Sequence, residues 1–559
     1  MRALVVGASI ALVAWLALVP LGFLLWQSVH APAGAAEATH FTLDHYRTAY
    51  SSRDTTRLLG NSLQFAAGAA LVAFTLGTLL AFINERTDTP FKRLFFALSL
   101  VPLVIPGVLF VVAWMLLGSP RIGLLNVVLR TLFGSEHTFV NVYTLPGMAL
   151  VDGLHYSPMA FLMMSAAFRT MDPALEEAAL TSGASLRTVF ARITFRLAWP
   201  AAFATILILF VRALESFEVP ALLGLPGGIP VLTSAIFAAV HRYPADVGLA
   251  SAYAVALLAI ASAGLWFQSR LLARGERHAT VTGKGFRPRT IELGRWRIPV
   301  ATLCIVYFLL LIGLPFLVLL WSSFQTFYAV PSRAALANLT LEPYRFVLGF
   351  PAIARATLNS VVLAVGTATA IMLLTAVVCW VVVRTRGRGR ALVDQLASLP
   401  VVVPGLVVGL SLMVFYLHFD IGVYGTLWIL LIAYVTRFLP YGMRYNAASM
   451  LGIHRELEES AATSGASWWA TFRHIVLPLL APALVAGWLY IVIVSIRELS
   501  SSILLYGPRT EVLSIVIFEM WENGQYVELS ALGVLMIGAL LVLALVAQRL
   551  TGRLGIGAA

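Results

Sequence analysis

Apolar residues in this chain fall in long runs separated by short polar intervals. Twelve stretches approach or exceed the roughly 20 apolar residues that a helix needs to cross a hydrocarbon core. They lie near 3–26, 58–83, 94–117, 144–167, 199–222, 246–269, 299–322, 356–383, 392–417, 425–448, 481–505 and 528–548. In lipid, closed helices satisfy their own backbone, so runs of this length predict an all-α polytopic membrane protein with about twelve transmembrane helices. The first run, Ala3 to Trp26 after a lone Arg2, is longer than the apolar region of a signal peptide and shows no convincing small-residue cleavage site. It is therefore expected to be a retained first span.

The most polar interval, 271–298, sits at the midpoint and divides the chain into halves of six spans, 1–270 and 299–559. These halves repeat one another. Asn61-Ser62 recurs as Asn359-Ser360, and Pro102, Pro106 and Gly107 recur as Pro400, Pro404 and Gly405, all displaced by 298 positions. Further on the displacement shortens to 282, where Thr181-Ser182-Gly183-Ala184-Ser185 returns letter for letter as Thr463-Ser464-Gly465-Ala466-Ser467. An even number of spans gives both halves the same orientation, which predicts two parallel six-helix repeats about a pseudo-two-fold axis along the membrane normal, with a path between them.

Composition sharpens this. Of 559 residues, 60% are hydrophobic and 11% charged, against about 25% charged in soluble domains, which argues against a water-soluble globular fold. The net charge of +12 would suit nucleic acid in a soluble protein, but membrane proteins collect Arg and Lys in cytoplasmic loops. With both termini cytoplasmic, the inner loops hold Arg384, Arg386, Arg388 and Arg390 in one stretch. A second basic stretch, spanning the end of the first half and the linker, holds Arg270, Arg274, Arg277, Lys284, Arg287, Arg289, Arg295 and Arg297. The outer loops hold fewer, such as Arg121, Arg130 and Arg242, so this orientation is favoured and the expected surroundings are a lipid bilayer, with no nucleic acid. Cys304 and Cys379 lie inside apolar runs, far from any partner at metal-ligand spacing, and read as small core hydrophobes.

Each half carries one polar segment between its fourth and fifth spans, at 171–197 and 453–479. In the first, Asp172 suits a helix cap and Pro173 the first helical turn, and Glu176 and Glu177 sit favourably near the positive end of that helix. Gly183 can end the helix in a left-handed conformation, and Ser185 can cap the next one. A helix-turn-helix on the cytoplasmic surface is expected, repeated as Glu458-Glu459-Ser460-Ala461-Ala462-Thr463-Ser464-Gly465 and followed by Ile475, Leu477 and Pro478.

The spacing Glu, small, small, three residues, Gly, then nine residues to Ile resembles the EAA loop of ABC importer permeases of the binding-protein-dependent type. The matching positions are Glu177, Ala178, Ala179, Gly183 and Ile193 in the first half, and Glu459, Ser460, Ala461, Gly465 and Ile475 in the second. Two copies at the same place in two six-span halves make the match specific, and it extends over nearly the whole chain outside the linker. Departures occur at Phe195-Arg196, where Leu-Pro is usual, and at Ser460, where Ala is usual. The resemblance implies that each loop docks on one copy of a separate ATPase, so that two copies are engaged. Small residues permit close approach, and Glu177 or Glu459, with Glu176 and Glu458 beside them, can pair with an Arg on the partner. It also implies an extracytoplasmic binding protein that delivers solute, and a place in the cytoplasmic (inner) membrane.

The chain holds two lysines, Lys92 and Lys284, and neither lies in a P-loop: His278 stands where the first Gly is required and Gly285 where Ser or Thr is. No catalytic residues and no cofactor of its own are therefore expected, ATP and Mg being used by the partner ATPase. The ten histidines are scattered and make no i, i+4 pair with one another or with Cys, so no metal site is expected.

Ionisable residues within spans are costly and hence functional candidates. The fifth span has Arg212, Glu215 and Glu218 at spacings of three, which on a helix would put them roughly on one face; the eleventh has Arg497, Glu498 and Ser500. Counting from Trp199 places Glu215 about 24 Å into its span, towards the outer side. Glu215, Glu218, Glu498 and Ser500 are thus translocation-path candidates that would attract a cation. Alternatively, Arg212 pairs with Glu215 or Glu218, and Arg497 with a neighbouring acid, to stabilise the helices. Pro102, Pro106, Pro400 and Pro404 break the helical ladder in equivalent spans and are either hinges or fixed kinks.

The expected function is a fused, two-half permease importing a solute inward. The twelve-span form and the run Glu215-Ser216-Phe217-Glu218-Val219-Pro220-Ala221-Leu222-Leu223-Gly224 look most like ferric-iron permeases. Thiamine, polyamine and aminoethylphosphonate permeases remain alternatives. A gradient-driven secondary transporter also has repeated halves, but it predicts coupling acids near the midplane and no duplicated cytoplasmic helix-turn-helix.

Overall fold

Long apolar runs wind into helices, some continuing through an internal proline such as Pro158 or Pro440, and breaks fall at Pro106 and Pro404 and after Leu214 and Ile496. The computed structural model describes residues 2–30, 40–51, 53–171, 174–275, 290–385 and 389–553. Asp172, Pro173, Arg277, Lys284, Arg287, Arg289, Arg386 and Arg388 lie outside the described residues. The first half contains α1 (Arg2–Ser28), α2 (Arg53–Arg86), α3 (Lys92–Leu100), α4 (Gly107–Gly118), α5 (Leu145–Arg169), α6 (Ala174–Thr181), α7 (Leu186–Val189), α8 (Phe195–Leu214), α9 (Leu232–His241) and α10 (Val247–Gly275). In the second are α11 (Arg297–Phe308), α12 (Leu314–Ser322), α13 (Pro351–Arg384), α14 (Gly389–Ser398), α15 (Gly405–His418), α16 (Leu427–Leu451), α17 (Glu456–Thr463), α18 (Trp468–Thr471), α19 (Leu477–Ile496), α20 (Leu513–Glu522) and α21 (Tyr526–Arg553).

Among the described residues, eight helices are long and apolar enough to cross a membrane, and two further helix pairs qualify together. At 25 residues, or about 37 Å, α5 and α16 stand where the fourth and tenth spans are expected. The all-α polytopic architecture is as the sequence predicts. The third and ninth spans are bent, α3 meeting α4 at 101° and α14 meeting α15 at 104°. Pro102 lies in a single 3₁₀ turn, Val101–Leu103, and Pro106 precedes α4 with ψ 135°; Pro404 precedes α15 with ψ 142°. A proline has no N–H to donate backwards yet suits the start of a new helix, so the chain turns there. The fifth and eleventh helices also stop early, at Leu214 and Ile496. Glu215 and Glu218 therefore do not share a helix face, because residues 215–217 have left the helix.

The chain packs as two compact units that differ from the two sequence repeats. One comprises Ser52–Ala235 and Ala259–Pro343. Its centre is α2 against α5 and α8, and α12 packs on α4. The seventh span is tied in by hydroxyls: Tyr307 meets Ser157 Oγ at 2.7 Å, and Tyr328, just beyond α12, donates to the Leu116 carbonyl at 2.8 Å. The other unit comprises Met1–Ser51, Ile236–Leu258 and Tyr344–Ala559, with α13, α16 and α19 at its centre. In it α1 lies on α14 and α15, with Val13 in the apolar cluster around Leu439, Met443 and Val476 and the Phe23 ring edge-on to Phe415 at 5.7 Å. Each unit thus takes its first span from the opposite sequence half. Both cysteines are buried core residues, Cys379 reaching the Met443 carbonyl at 3.4 Å.

Small residues let the central helices touch. A Cβ on Gly77 of α2 would stand 2.5 Å from the Ser157 carbonyl oxygen and 2.7 Å from the Phe161 amide of α5. At the matching contact in the other unit, a Cβ on Gly442 would meet side-chain atoms, Ile371 Cγ2 at 2.5 Å and Thr375 Oγ1 at 2.8 Å. Side chains can adjust and backbone cannot. Gly77→Ala is therefore expected to cost about 1–3 kcal/mol by overpacking, and Gly442→Ala less. Thermal unfolding in detergent checks this; equal losses would refute it.

Candidate functional site: the paired hairpins and the helix breaks

The two polar segments fold as the sequence reading expects. At the end of α6, Gly183 has φ +87°, its N–H bonds to the Leu180 carbonyl, and the Ala184 N–H reaches back to the Ala179 carbonyl, both at 3.0 Å. Gly465, at φ +82°, makes the same pair of bonds with Ala462 and, through Ala466, with Ala461, again at 3.0 Å. This satisfies orphan carbonyls at a helix end and needs a residue tolerant of positive φ. Ser185 and Ser467 then accept from the Thr188 and Ala470 amides at 3.2 Å, capping α7 and α18. Five-residue π turns, Phe190–Thr194 and Phe472–Val476, lead into α8 and α19. Phe195-Arg196 opens α8 just as Leu477-Pro478 opens α19, so that departure leaves the return into the span intact.

Within each glutamate pair the two side chains point to different surroundings. Glu177, Ala178 and Gly183 are exposed and Ala179 half-buried; Glu459, Ser460 and Gly465 are exposed and Ala461 half-buried. Glu176 is buried, 6% exposed, in an ion pair with Arg86 at the end of α2, and it accepts a hydrogen bond from Thr194 Oγ1 at 2.7 Å. Half-buried Glu458 accepts from Arg384 Nε at 2.7 Å and from Trp380 Nε1 at 2.9 Å, both on α13. Arg384 also donates to the Ile453 carbonyl at 2.7 Å. Glu176 and Glu458 are 282 positions apart, and Arg86 and Arg384 are 298 apart, so both pairs sit at matched places in the repeat.

The intramembrane candidates collect around the helix breaks. In the unit built on α2, Arg212 Nη1 lies 3.3 Å from Glu215 Oε2. Ser216 Oγ donates to Asp152 of α5 at 2.9 Å, and the Ser216 carbonyl accepts from Thr233 Oγ1 at 2.8 Å. Glu218 lies against Gly107, where a Cβ would be 3.4 Å from its carboxyl carbon, immediately after the Pro106 break. The break after Pro106 and the residues following α8 thus come together near Asp152, which is 1% exposed.

The other unit builds the same place from different charges. Arg437 of α16 stands where His155 falls in the first half, and its Nη1 is 2.5 Å from Glu498 Oε1. That oxygen also accepts from the Ser501 amide at 2.9 Å and the Ser501 hydroxyl at 3.0 Å. Glu498 is therefore engaged in holding the broken end of α19, with Arg437, from α16, as an ion-pair partner. Ser514 donates to the Glu498 carbonyl at 2.6 Å, as Thr233 does to Ser216. Ser500 is buried beside this turn. Gly405, after the Pro404 break, carries Arg437 so closely that a Cβ would fall 1.5 Å from Nη1, and Pro400 lies in the 3₁₀ turn just before.

Sequence reasoning passed over Asp152, Arg437, Arg86 and Arg384 as partners. The cost of charge in lipid that singled out Glu215 applies equally to Asp152 and Arg437, and the repeat offsets relate the two Arg–Glu pairs. Among the described residues, no three His, Cys, Asp or Glu side chains come together as a metal site.

Comparison with known proteins agrees with this layout. Residues 73–275 and 372–555 each match the family described as binding-protein-dependent transport system inner membrane component. A putative ferric transport system permease protein of Haemophilus influenzae is 27% identical over 474 residues, covering 82% of this chain and 72% of that protein. The ferric transport system permease protein of Actinobacillus pleuropneumoniae is 27% identical over 514 residues, covering 88% and 70%. The spermidine/putrescine transport system permease protein of Escherichia coli is 27% identical over 237 residues, covering 42% of this chain and 87% of that protein. With the family matched twice and a duplicated hairpin in the matched regions, this chain belongs to the binding-protein-dependent transport system inner membrane components, as a fused permease with both halves of an ABC importer in one polypeptide.

Proposed function

We propose that this permease carries ferric iron inward across the cytoplasmic membrane, with both termini cytoplasmic. Solute arrives from an extracytoplasmic binding protein, and two copies of a separate ATPase dock on the exposed faces of α6–α7 and α17–α18. ATP and Mg belong to the ATPase. The observation that carries the choice of solute is that relatives named for ferric transport match across both halves, over 82% and 88% of the chain. Charge supports it: Asp152, Glu215 and Glu218 outnumber Arg212 at the break after α8, an arrangement that favours a cation and disfavours an anion. Polyamine is the second reading, on the relative matched over 42% of the chain. On the same reading, docking falls to Glu177, Ala178, Ala179 and Gly183, and to Glu459, Ser460, Ala461 and Gly465, which are all at least partly exposed, while Glu176 and Glu458 are engaged with Arg86 and Arg384.

The test is uptake in proteoliposomes holding the permease with its ATPase and binding protein. Accumulation of labelled ferric iron that needs ATP and resists excess spermidine, thiamine and aminoethylphosphonate is expected. Accumulation sustained by an ion gradient with the ATPase inactivated would overturn it. In the same assay Asp152→Asn and Glu218→Gln are each expected to lower uptake about tenfold at unchanged membrane content, since a neutral amide attracts no cation. Full uptake by both variants would remove these acids from the path.

A further inference from the structure

Consecutive helical residues point about 100° apart, so the two carboxylates of a Glu-Glu doublet face different surroundings. Both hairpins use this geometry alike: the second Glu faces out, and the first turns inward onto an arginine at the end of a 34-residue helix, α2 or α13. We propose that the pairs Arg86–Glu176 and Arg384–Glu458 are mechanical struts, positioning residues that pass displacement of each docked hairpin to the span that carries the arginine. The inference rests on the reading that ATPases dock on these hairpins.

The physics favours a strut over a simple anchor. Arg86 and Glu176 side chains are 2% and 8% exposed, and Arg384 and Glu458 are 7% and 15% exposed. Separating such a pair would strand a charge in a poorly solvated place, so the two ends stay together when one is pushed. Each strut is braced differently. In the first, Thr194 of the returning π turn shares the Glu176 carboxylate. In the second, Trp380 donates to Glu458 and packs edge-on against Trp468 of α18, ring centroids 5.3 Å apart. Thr194 fastens the second arm to Glu176 directly, and Trp380 links Glu458 to Trp468 of the second arm, so both arms of each hairpin are held together. The Arg86 backbone is held too, its carbonyl accepting from the Ile291 N–H at 2.8 Å where the linker returns. Beyond the arginine, α2 packs along α5 and α8, and α13 along α16 and α19, so displacement of either helix end reaches the centre of its unit.

The test uses Arg384→Met with Glu458→Leu, an apolar pair that leaves no stranded charge, and separately Glu458→Gln, which keeps the Trp380 bond and removes the charge. Each variant is reconstituted with ATPase and binding protein, and ATP hydrolysis and solute uptake are measured together. ATPase retained on the permease, hydrolysis within about twofold of the parent and at least about a tenfold drop in solute carried per ATP are expected for the double variant, with a smaller drop for Glu458→Gln. An unchanged ratio in the double variant overturns the strut. Loss of the bound ATPase from both variants also overturns it, since the pairs would then only hold the docking surface. A parent complex with no ATP-dependent uptake would instead sink the docking reading itself.

Discussion

Gly465→Trp is expected to lower ATP-driven uptake by about tenfold or more while the permease remains in the membrane, and Gly183→Trp to do the same. Two effects combine. Both glycines hold positive φ, +82° and +87°, where a Cβ costs roughly 1–2 kcal/mol. An added Cβ finds nothing within 4 Å at either residue, so a side chain leaves the backbone there without a clash. The open space is where the proposed ATPase must approach, so a bulky side chain acts on docking more than on folding. Gly465→Asn separates the contributions, since Asn tolerates the left-handed conformation and projects little. Most activity should survive in Gly465→Asn and little in Gly465→Trp. Equal uptake by both would remove the glycine from the docking face. The readout is uptake alongside retention of the ATPase on detergent-solubilised permease.

The second large effect concerns Arg437. Gly405→Ala would place a Cβ 1.5 Å from Arg437 Nη1, so the guanidinium must shift, and a shift that takes it off Glu498 breaks their ion pair. Breaking a buried ion pair by displacing one partner costs about 3–5 kcal/mol, because the other charge remains buried. Glu498 also holds the Ser501 amide and hydroxyl, so the end of α19 should loosen with it. Thermal unfolding in detergent is expected to show this loss in the parent. In an Arg437→Met, Glu498→Gln background the same glycine substitution should cost no more than about 1–3 kcal/mol, the price of overpacking alone. Equal losses in both backgrounds would show that the pair is not what Gly405 protects.

These two glycines differ in how far the sequence reveals them. Gly465 is legible because its role is local: a helix ends, the next residues must turn, and the same five letters appear in both halves. Gly405 is visible only as a repeat partner of Gly107, since the group it accommodates comes from α16, 32 positions away. Glu215 shows the limit of spacing arguments. Residues three apart share a face only while the helix lasts, and α8 ends at Leu214. The Arg212–Glu215 pair forms, at 3.3 Å, and an Arg that pairs with Glu498 is Arg437, which comes from another span.

By itself the sequence determined the helical membrane architecture, the duplication, the two hairpins with their left-handed glycines and the family. These depend on hydropathy over a window, on chemistry within one hairpin, or on letters repeated 282 or 298 positions apart, all of which the order of residues contains. Tertiary structure decided which glutamate of each doublet turns inward, that α1 packs with the second half and the seventh span with the first, and that Glu498 is held by Arg437. In each case an ion pair or helix contact joins residues far apart in the chain, 90 positions for Arg86 and Glu176 and 61 for Arg437 and Glu498. Burial in a low-dielectric interior makes such pairings decisive, and only the folded packing determines which charges it brings together.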